Sequence, residues 1–574
     1  MTDYTMAYIR SQIIGSDTVF ETPFGERNIF YADYTASGRG LAFIEDKMNN
    51  ILKSYGNSHT EDDYTGVSTT HLLHRAEDRI KSLVNAGPEG KIIFTGSGAT
   101  GALERLQKII GIYQPPVTRE RMSHCMSRLS EGISPSRFNE IIEKFCPVVF
   151  VGPYEHHSND LMWRESLAKV EVIRLSRTGE IDLEDLETRL ADPCHASRNR
   201  FASFSAGSNI TGLKTDVYEI ARICHRHHAL VFFDFAAIAP YEEINMNRDP
   251  ESRFDAIFFS PHKFLGGPGT SGILIFNQRI YRQDLSPTTA GGGTVDYVGF
   301  TCHDFSREIE TREKPGTPGI LQAIKSALVM DLKDKIGVPA IKAFEQKSLD
   351  LFFSTLKDHP GFHFLGNLDL SKRVPIISFN IRHEDRILHP KFVTKLLNDL
   401  FGIQSRAGCS CAGPYGHILL DIDDARSQEF REVIQQGLNG LKPGWVRINL
   451  HFSFSGADIQ FLIRALEFIA DRGHLFLQQY VFYIHSGEWR FEGFQGPEFP
   501  LEIDHSFEPP VIENQPLEVL RESYFQQAQK QAEALKNQPS EPYAVDVPEI
   551  EKLKYFYYVK VDRSPAGFLS CCTV

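Results

Sequence analysis

Lys263 stands in SPHKFLGGPGTSG, Ser260 to Gly272, behind a histidine and ahead of a run of glycines. Apolar runs flank the segment, Ala256 to Phe259 before it and Ile273 to Phe276 after it. An amine placed so could cradle an anion, could act as a nucleophile once its charge is suppressed, or could simply face solvent. Three further segments bear on the choice. FTGSGATGALERL, from Phe94, sets Gly96, Gly98, Ala99 and Thr100 at a strand-to-helix turn. Backbone N–H groups and the positive end of the helix both favour an anion there. The segment lacks the G-x-x-x-x-G-K-[ST] spacing, so it is not a nucleotide P-loop. Asp234 closes the apolar run ALVFFDF. A carboxylate there is costly to bury without a cationic partner, and a protonated ring nitrogen is one such partner. YEHHSND, with His156 and His157, follows the apolar run PVVFVG, and the C-terminal ends of strands are where α/β sheets hold ligands. Each segment alone has an ordinary reading: a solvated lysine, a common Gly-rich turn, a wet strand end, surface histidines.

The elements that position these residues are legible from periodicity. KIIFTG, PVVFVG, EVIRLS, RFASFSAG, ALVFFDF, DAIFFS and GILIF read as strands, and ATGALERLQKIIGIY and TDVYEIARICHRHH as helices. Continuous β-branched and aromatic runs separated by helices describe a mainly parallel sheet covered on both faces, an α/β fold. After a long helix ending near residue 335, a shorter α/β pattern runs to about 475, with VPIISFNI and GWVRINLHFSF as strands. The predicted division is an N-terminal segment 1–30, a large domain 31–335, a small domain 336–475 and an extension 476–574. The chain has 574 residues, 41% of them hydrophobic and 24% charged, which suffices for a sizeable core. A net charge of −13 argues against a nucleic-acid partner. No segment reaches the roughly 18 apolar residues of a membrane helix. The N-terminal residues carry no basic start followed by an apolar stretch, so no secretory signal is expected. Nine scattered cysteines are not a disulfide framework, and a reducing cytoplasm is the expected compartment. Cys409 and Cys411 form C-x-C without a matching pair at metal-ligand spacing, so no metal is expected. The terminal CCTV, with Cys571 and Cys572, loosely fits a prenylation box, but no polybasic stretch precedes it.

Taken in order, the segments are a phosphate turn, an aromatic stacker, an acid for a ring nitrogen and a lysine for an aldehyde. Here the sequence resembles the class V aminotransferase group of fold-type I pyridoxal phosphate enzymes, on the cysteine desulfurase and selenocysteine lyase branch. The resemblance runs from IFYADYTASGRG through YGNSHT, FTGSGATGAL, YEHHSND, SAGSNITG, FFDFAA, SPHKFLGGPGTSG, GGGT and KPGTP to RAGCSCAGP and VRINL, about residues 30 to 470. It implies a seven-stranded large domain with pyridoxal 5′-phosphate held on Lys263, which then shuttles the substrate's α-proton. It implies that Ser260, His262, Thr100, Gly98 and Ala99 hold the phosphate and that Asp234 pairs with the ring nitrogen. His156 would stack on the ring and aid proton transfer, with Asn209 near the ring hydroxyl and the substrate. Arg447 would bind the substrate carboxylate, for which a planar fork is suited, and His59 and Arg406 would also contact the substrate. Thr317 would reach the phosphate of a neighbouring subunit, which implies a homodimer with shared sites. Cys411 would attack the substrate sulfur, as a thiolate, giving alanine and a persulfide for a sulfur-acceptor protein. Cys409, two residues away, is an alternative attacker.

Ala237 departs from the pattern, since desulfurases usually carry glutamine three residues after the aspartate. Small residues there, and G-C-x-C near the loop cysteine, resemble molybdenum cofactor sulfurases, although the last hundred residues do not resemble their C-terminal domain. Residues 114–145 and the stretch GHILLDIDDARSQEFREVIQQGLNG are insertions. Three functions therefore stay open: a desulfurase, another class V enzyme such as a C–S lyase, epimerase or aminotransferase, and a non-catalytic protein that keeps the fold.

Overall fold

The computed structural model describes residues 5–58, 62–129, 137, 144–496, 509–512, 516–536 and 548–562. His59, much of the 114–145 insertion and the cysteine pair Cys571 and Cys572 lie outside the described residues. The chain forms two compact units, one from Ala36 to Lys342 and the other from Met6–Thr35 together with Ala343 onward.

The first unit is built on seven strands: β1 Gly90–Thr95, β2 Val148–Val151, β3 Lys169–Val172, β4 Arg200–Ser205, β5 Leu230–Asp234, β6 Ala256–Phe259 and β7 Gly272–Asn277. Their spatial order is β1-β7-β6-β5-β4-β2-β3. All neighbours are parallel except β7, which runs antiparallel to both β1 and β6. The sequence accounts for the burial. VVFV of β2 and AIFF of β6 have no polar face, and every residue in them is buried. The edge strand β3 has exposed ends and a half-buried middle, with no fully buried residue, and starts two residues earlier than its apolar run suggested. Helix α1, Gly98–Ile109, presents Ala102, Leu103 and Leu106 to the same core as Phe258 and Leu274. Because β1 and the five parallel strands share one direction, their C-terminal ends come to one edge. Gly96–Thr100, Tyr154–His156, Ser205–Asn209, Asp234 and Ser260–Lys263 all follow or end strands there.

The second unit holds a five-stranded antiparallel sheet, with Ile376–His383 between Phe362–Phe364 and Trp445–Asn449, Arg406–Gly408 at the edge, and the short strand Arg386–Ile387 paired to the end of Ile376–His383. Helices Pro390–Phe401 and Gly456–Arg472 pack on it; the first ends on Gly402 at φ 72°, the left-handed cap that glycine allows, and the second opens with a capping box of Ser455 and Asp458. The N-terminal segment belongs here: Phe30–Tyr31 pairs in parallel with Ile403–Gln404. So does the extension. A hairpin, Tyr480–Tyr483 with Glu488–Phe491, is joined by Lys560–Asp562, and the Tyr480 hydroxyl donates to buried Asp399 at 2.8 Å. Helix Leu517–Lys536 is tied to Asp458 through Arg521 at 2.7 Å. Among the described residues no helix is long and apolar enough to cross a membrane.

Candidate active site

At the strand-end edge of the first unit lies a cavity of about 390 Å³. Gly98, Ala99, Thr100, His156, Asn209, Asp234, Ser260, His262 and Lys263, all singled out from sequence, line it. Lys263 ends a single 3-10 turn, Pro261–Lys263, directly after β6. The turn is threaded tightly between other backbone. A Cβ at Gly267 would lie 2.1 Å from the Pro261 carbonyl oxygen, and one at Gly38 would lie 1.9 Å from that of Phe264. No side chain fits at either place, which explains the glycines around Lys263.

One end of the cavity is built for an anion. Ser97, the N-cap of α1, makes no side-chain cap hydrogen bond, so the helix start faces the cavity without an internal acceptor from that side chain. The Ala99 amide donates to Ser260 Oγ at 2.8 Å, which joins the helix start to the lysine turn. Gly98 has φ 59°, and a Cβ there would come within 2.8 Å of Ser260 Oγ. The Thr100 and Ser158 hydroxyls are hydrogen-bonded at 2.7 Å. Burial, then the Lys263 charge, lowers His262 to about 4, so its ring is neutral near pH 7. Its Nδ1 meets Ser37 Oγ at 3.2 Å.

The other end is built for a cation. Asp234 is 5% exposed and accepts from the Ala236 amide at 2.8 Å. Burial raises its carboxyl to about 6 against the pull of that amide and of the Lys263 charge. A buried carboxylate so disfavoured is stabilised by any positive group entering the cavity. His156 caps the helix α2, His157–Arg164, and its Nδ1 accepts from the Ser158 amide at 3.2 Å. That bond leaves the proton of the neutral ring on Nε2. Glu155, adjacent in sequence, is buried beneath. It accepts from the Gly152 amide, the Asn159 side chain, and both the amide and hydroxyl of Ser205. Burial outweighs these bonds and, with the nearby Asp234 charge, raises Glu155 to about 7.

The remaining residues fall elsewhere. Thr317 is exposed, does not line the cavity, and its hydroxyl accepts from Asn57 Nδ2 at 3.2 Å. Arg406, Cys411 and Arg447 belong to the second unit. Arg406 and Arg447 sit opposite each other on neighbouring strands, and Cys411 lies close enough to act on the Arg447 charge. Arg447 is buried and pairs with Asp33 at 2.9 Å. Cys411 occupies a tight turn: the Ala412 amide donates to the Cys409 carbonyl at 3.2 Å, and Ser410 and Cys411 have φ 50° and 58°. Two positive φ values make this the mirror-image type I turn, which favours glycine and asparagine. Serine and cysteine hold it at a cost of roughly 1–3 kcal/mol each. Sequence reasoning missed Ser37, Ser158, Ser205 and Thr270. All four lie within quoted segments but carry no signal of their own, because only the topology brings Ser158, Ser205 and Thr270 to the cavity wall and Ser37 to His262. Ala237 lines the cavity wall, as its spacing from Asp234 implied.

The cavity therefore brings together a helix start suited to an anion, a buried carboxylate suited to a cation and the Lys263 amine, whose charge reaches both Asp234 and His262. Residues 147–461 match the family aminotransferase class-V. A probable cysteine desulfurase of Halalkalibacterium halodurans is 26% identical over 429 residues, spanning 74% of this chain and 94% of that protein. A probable cysteine desulfurase of Staphylococcus aureus is 26% identical over 432 residues, spanning 71% and 93%. The apo structure of a cysteine desulfurase from Thermococcus onnurineus superposes with a TM-score of 0.62 at 22% identity, over 82% of this chain and 99% of that one. One from Escherichia coli gives 0.58 at 18% identity, over 81% and 98%. At those identities the structural likeness is one of fold. The family match takes in more than half of the residues, and the chain belongs to the aminotransferase class-V family.

Proposed function

We propose that this chain is a cysteine desulfurase-like enzyme that uses pyridoxal phosphate. It removes sulfur, or selenium, from L-cysteine or a related amino acid and yields alanine and a persulfide on Cys411. The observation that carries the cofactor assignment is the meeting, in one cavity, of Lys263, the disfavoured Asp234 carboxylate and the start of α1. That donor set suits an aldehyde, a protonated ring nitrogen and a phosphate in turn. Bound there, the cofactor supplies an electron sink that weakens bonds at the α-carbon of an amino acid.

The chain's own residues do the rest. Lys263 would hold the aldehyde carbon and move the α-proton. Ser260, Thr100, neutral His262 and the amides of Gly98 and Ala99 hold the phosphate. Asp234 keeps the ring nitrogen protonated. His156, with its Nε2–H, would stack on the ring and donate a proton. Asn209 orients the ring hydroxyl and the substrate, and Arg447 takes the substrate carboxylate, with His59 and Arg406 beside it. The Cys411 thiolate takes the sulfur. Its support is the strained turn that projects it and its nearness to Arg447. We also propose a homodimer in which Thr317 reaches the phosphate of a second copy, since Thr317 is exposed and absent from the wall of its own cavity. In that division residues 31–335 hold the cofactor and 336–475 deliver the cysteine. Seven free cysteines among the described residues suit a reducing cytoplasm.

Sulfur transfer to a carrier-bound acceptor, as in molybdenum cofactor sulfurases, is the second reading, and it draws on Ala237 at the cavity wall. The first reading is tested with two variants. Lys263→Ala should lose the visible absorbance band that borohydride bleaches in the native protein. Cys411→Ser should keep that band and lose the persulfide. A Cys411→Ser protein that still carries a persulfide after L-cysteine treatment would move the role to Cys409.

A further inference from the structure

Behind the Cys411 turn, wholly within the second unit, lies a larger cavity of about 770 Å³. Its wall has two characters. Leu420, Ile422, Phe430, Ile434 and Trp445 supply an apolar lining. Lys391, Arg406, Arg431 and Lys442 supply positive charge, and no aspartate or glutamate contributes to the wall. Nearby cations are neutralised in the ordinary way: Arg426 and Lys552 share Glu429 at 3.0 and 2.6 Å. The four cavity cations have no carboxylate at ion-pair distance among the described residues. Arg431 reaches only the Gln428 side-chain oxygen, at 3.5 Å.

The extension builds part of this wall and fixes it. The Tyr555 hydroxyl donates to the Lys442 carbonyl at 2.6 Å, and Lys391 Nζ donates to the Ser486 carbonyl at 3.0 Å. Trp445 is 1% exposed, and its indole N–H lacks an acceptor, a buried donor left unmatched beside the cavity. Cys409 and Cys411 both lie in the wall. A half-enclosed, low-dielectric pocket with one sign of charge concentrates the opposite sign.

We propose that this cavity binds a small anionic thiol, the acceptor to which the Cys411 sulfur passes. The transfer step rests on the desulfurase reading; the binding site does not. In the step, the ligand's thiolate sulfur attacks the outer sulfur of the Cys411 persulfide. The bond from that sulfur to Cys411 Sγ breaks, and its electron pair returns to Sγ. The products are the free Cys411 thiolate and a persulfide on the ligand. Charge is conserved and no oxidant or reductant is consumed. The cationic wall favours both the ligand's fixed charge and its thiolate form.

Two arms test this. In the first, the Cys411→Ser protein is titrated by calorimetry with 2-(methylthio)ethanesulfonate and with the cationic 2-(methylthio)ethylammonium. Saturable binding of the anion alone is expected, weakened about tenfold or more by the double substitution R431E/K442E and restored by R431K/K442R. Equal binding of both probes, no binding, or indifference to charge reversal overturns the site. In the second, persulfide-loaded native protein is chased with 2-mercaptoethanesulfonate or cysteamine at equal thiolate concentration. Discharge about tenfold faster by the anionic thiol is expected; equal rates overturn the transfer. If no persulfide forms while the first arm succeeds, the desulfurase reading and the transfer fail together and the anion site stands.

Discussion

Replacing Asp234 with asparagine should stabilise the cofactor-free protein while weakening it as an enzyme. Burial raises the Asp234 carboxyl from 3.8 to about 6. That gap corresponds to about 3 kcal/mol of disfavoured charge once folded and unfolded forms are both ionised. The group is 5% exposed, so solvent screens little of this. Between the two values the folded protein binds more protons than the unfolded chain, so this group makes stability fall as pH rises through that window. Asparagine keeps an oxygen for the Ala236 amide, now at 2.8 Å, and removes the charge. The gain should approach about 3 kcal/mol at pH 8 and shrink below about 1 kcal/mol at pH 4. Urea denaturation of cofactor-free native and Asp234→Asn proteins at the two pH values measures it. With cofactor, the same substitution would remove the proposed partner of the ring nitrogen and should lower turnover by about a hundredfold or more. A variant less stable than native at pH 8, or a difference that ignores pH, would refute the view of Asp234 as a carboxylate waiting for a cation.

Gly98→Ala should weaken cofactor retention about tenfold, measured by equilibrium dialysis, because alanine at φ 59° is strained and its Cβ would press within 2.8 Å of Ser260 Oγ. Tyr480→Phe should cost about 1–3 kcal/mol of stability in urea, since it strips a 2.8 Å hydrogen bond from the buried Asp399 carboxylate. An unchanged midpoint would mean that the extension does not support the second unit. His156→Ala should lower turnover with L-cysteine by about a hundredfold while L-cysteine still binds, whereas equal loss of both would make the ring a structural cap.

The strands of the first unit were legible because both their faces are buried, so PVVFVG, ALVFFDF, DAIFFS and GILIF appear as unbroken apolar runs. EVIRLS starts two residues after the strand begins and ends four after it stops, because an edge strand half-exposed to solvent carries no such run. The cavity residues were legible where one segment holds a whole function, as Ser260, His262 and Lys263 do. Pairings across the chain were not. Nothing local in YADY announces that Asp33 meets Arg447, 414 residues away, or that Phe30–Tyr31 adds to a strand after residue 402. The buried network of Glu155 is invisible for the same reason, since Ser205 is 50 residues distant. The Cys411 turn was hidden differently: C-S-C lacks the glycine or asparagine that normally marks two left-handed residues.

The central claim is that sulfur leaves an amino acid for Cys411. Purified protein loaded with pyridoxal phosphate is incubated with L-cysteine, and alanine, pyruvate and protein persulfide are quantified together in a single turnover. Alanine and a persulfide on Cys411 should appear in equal amounts, and both should vanish in Cys411→Ser. Pyruvate without persulfide, or alanine formation that survives Cys411→Ser, would contradict it.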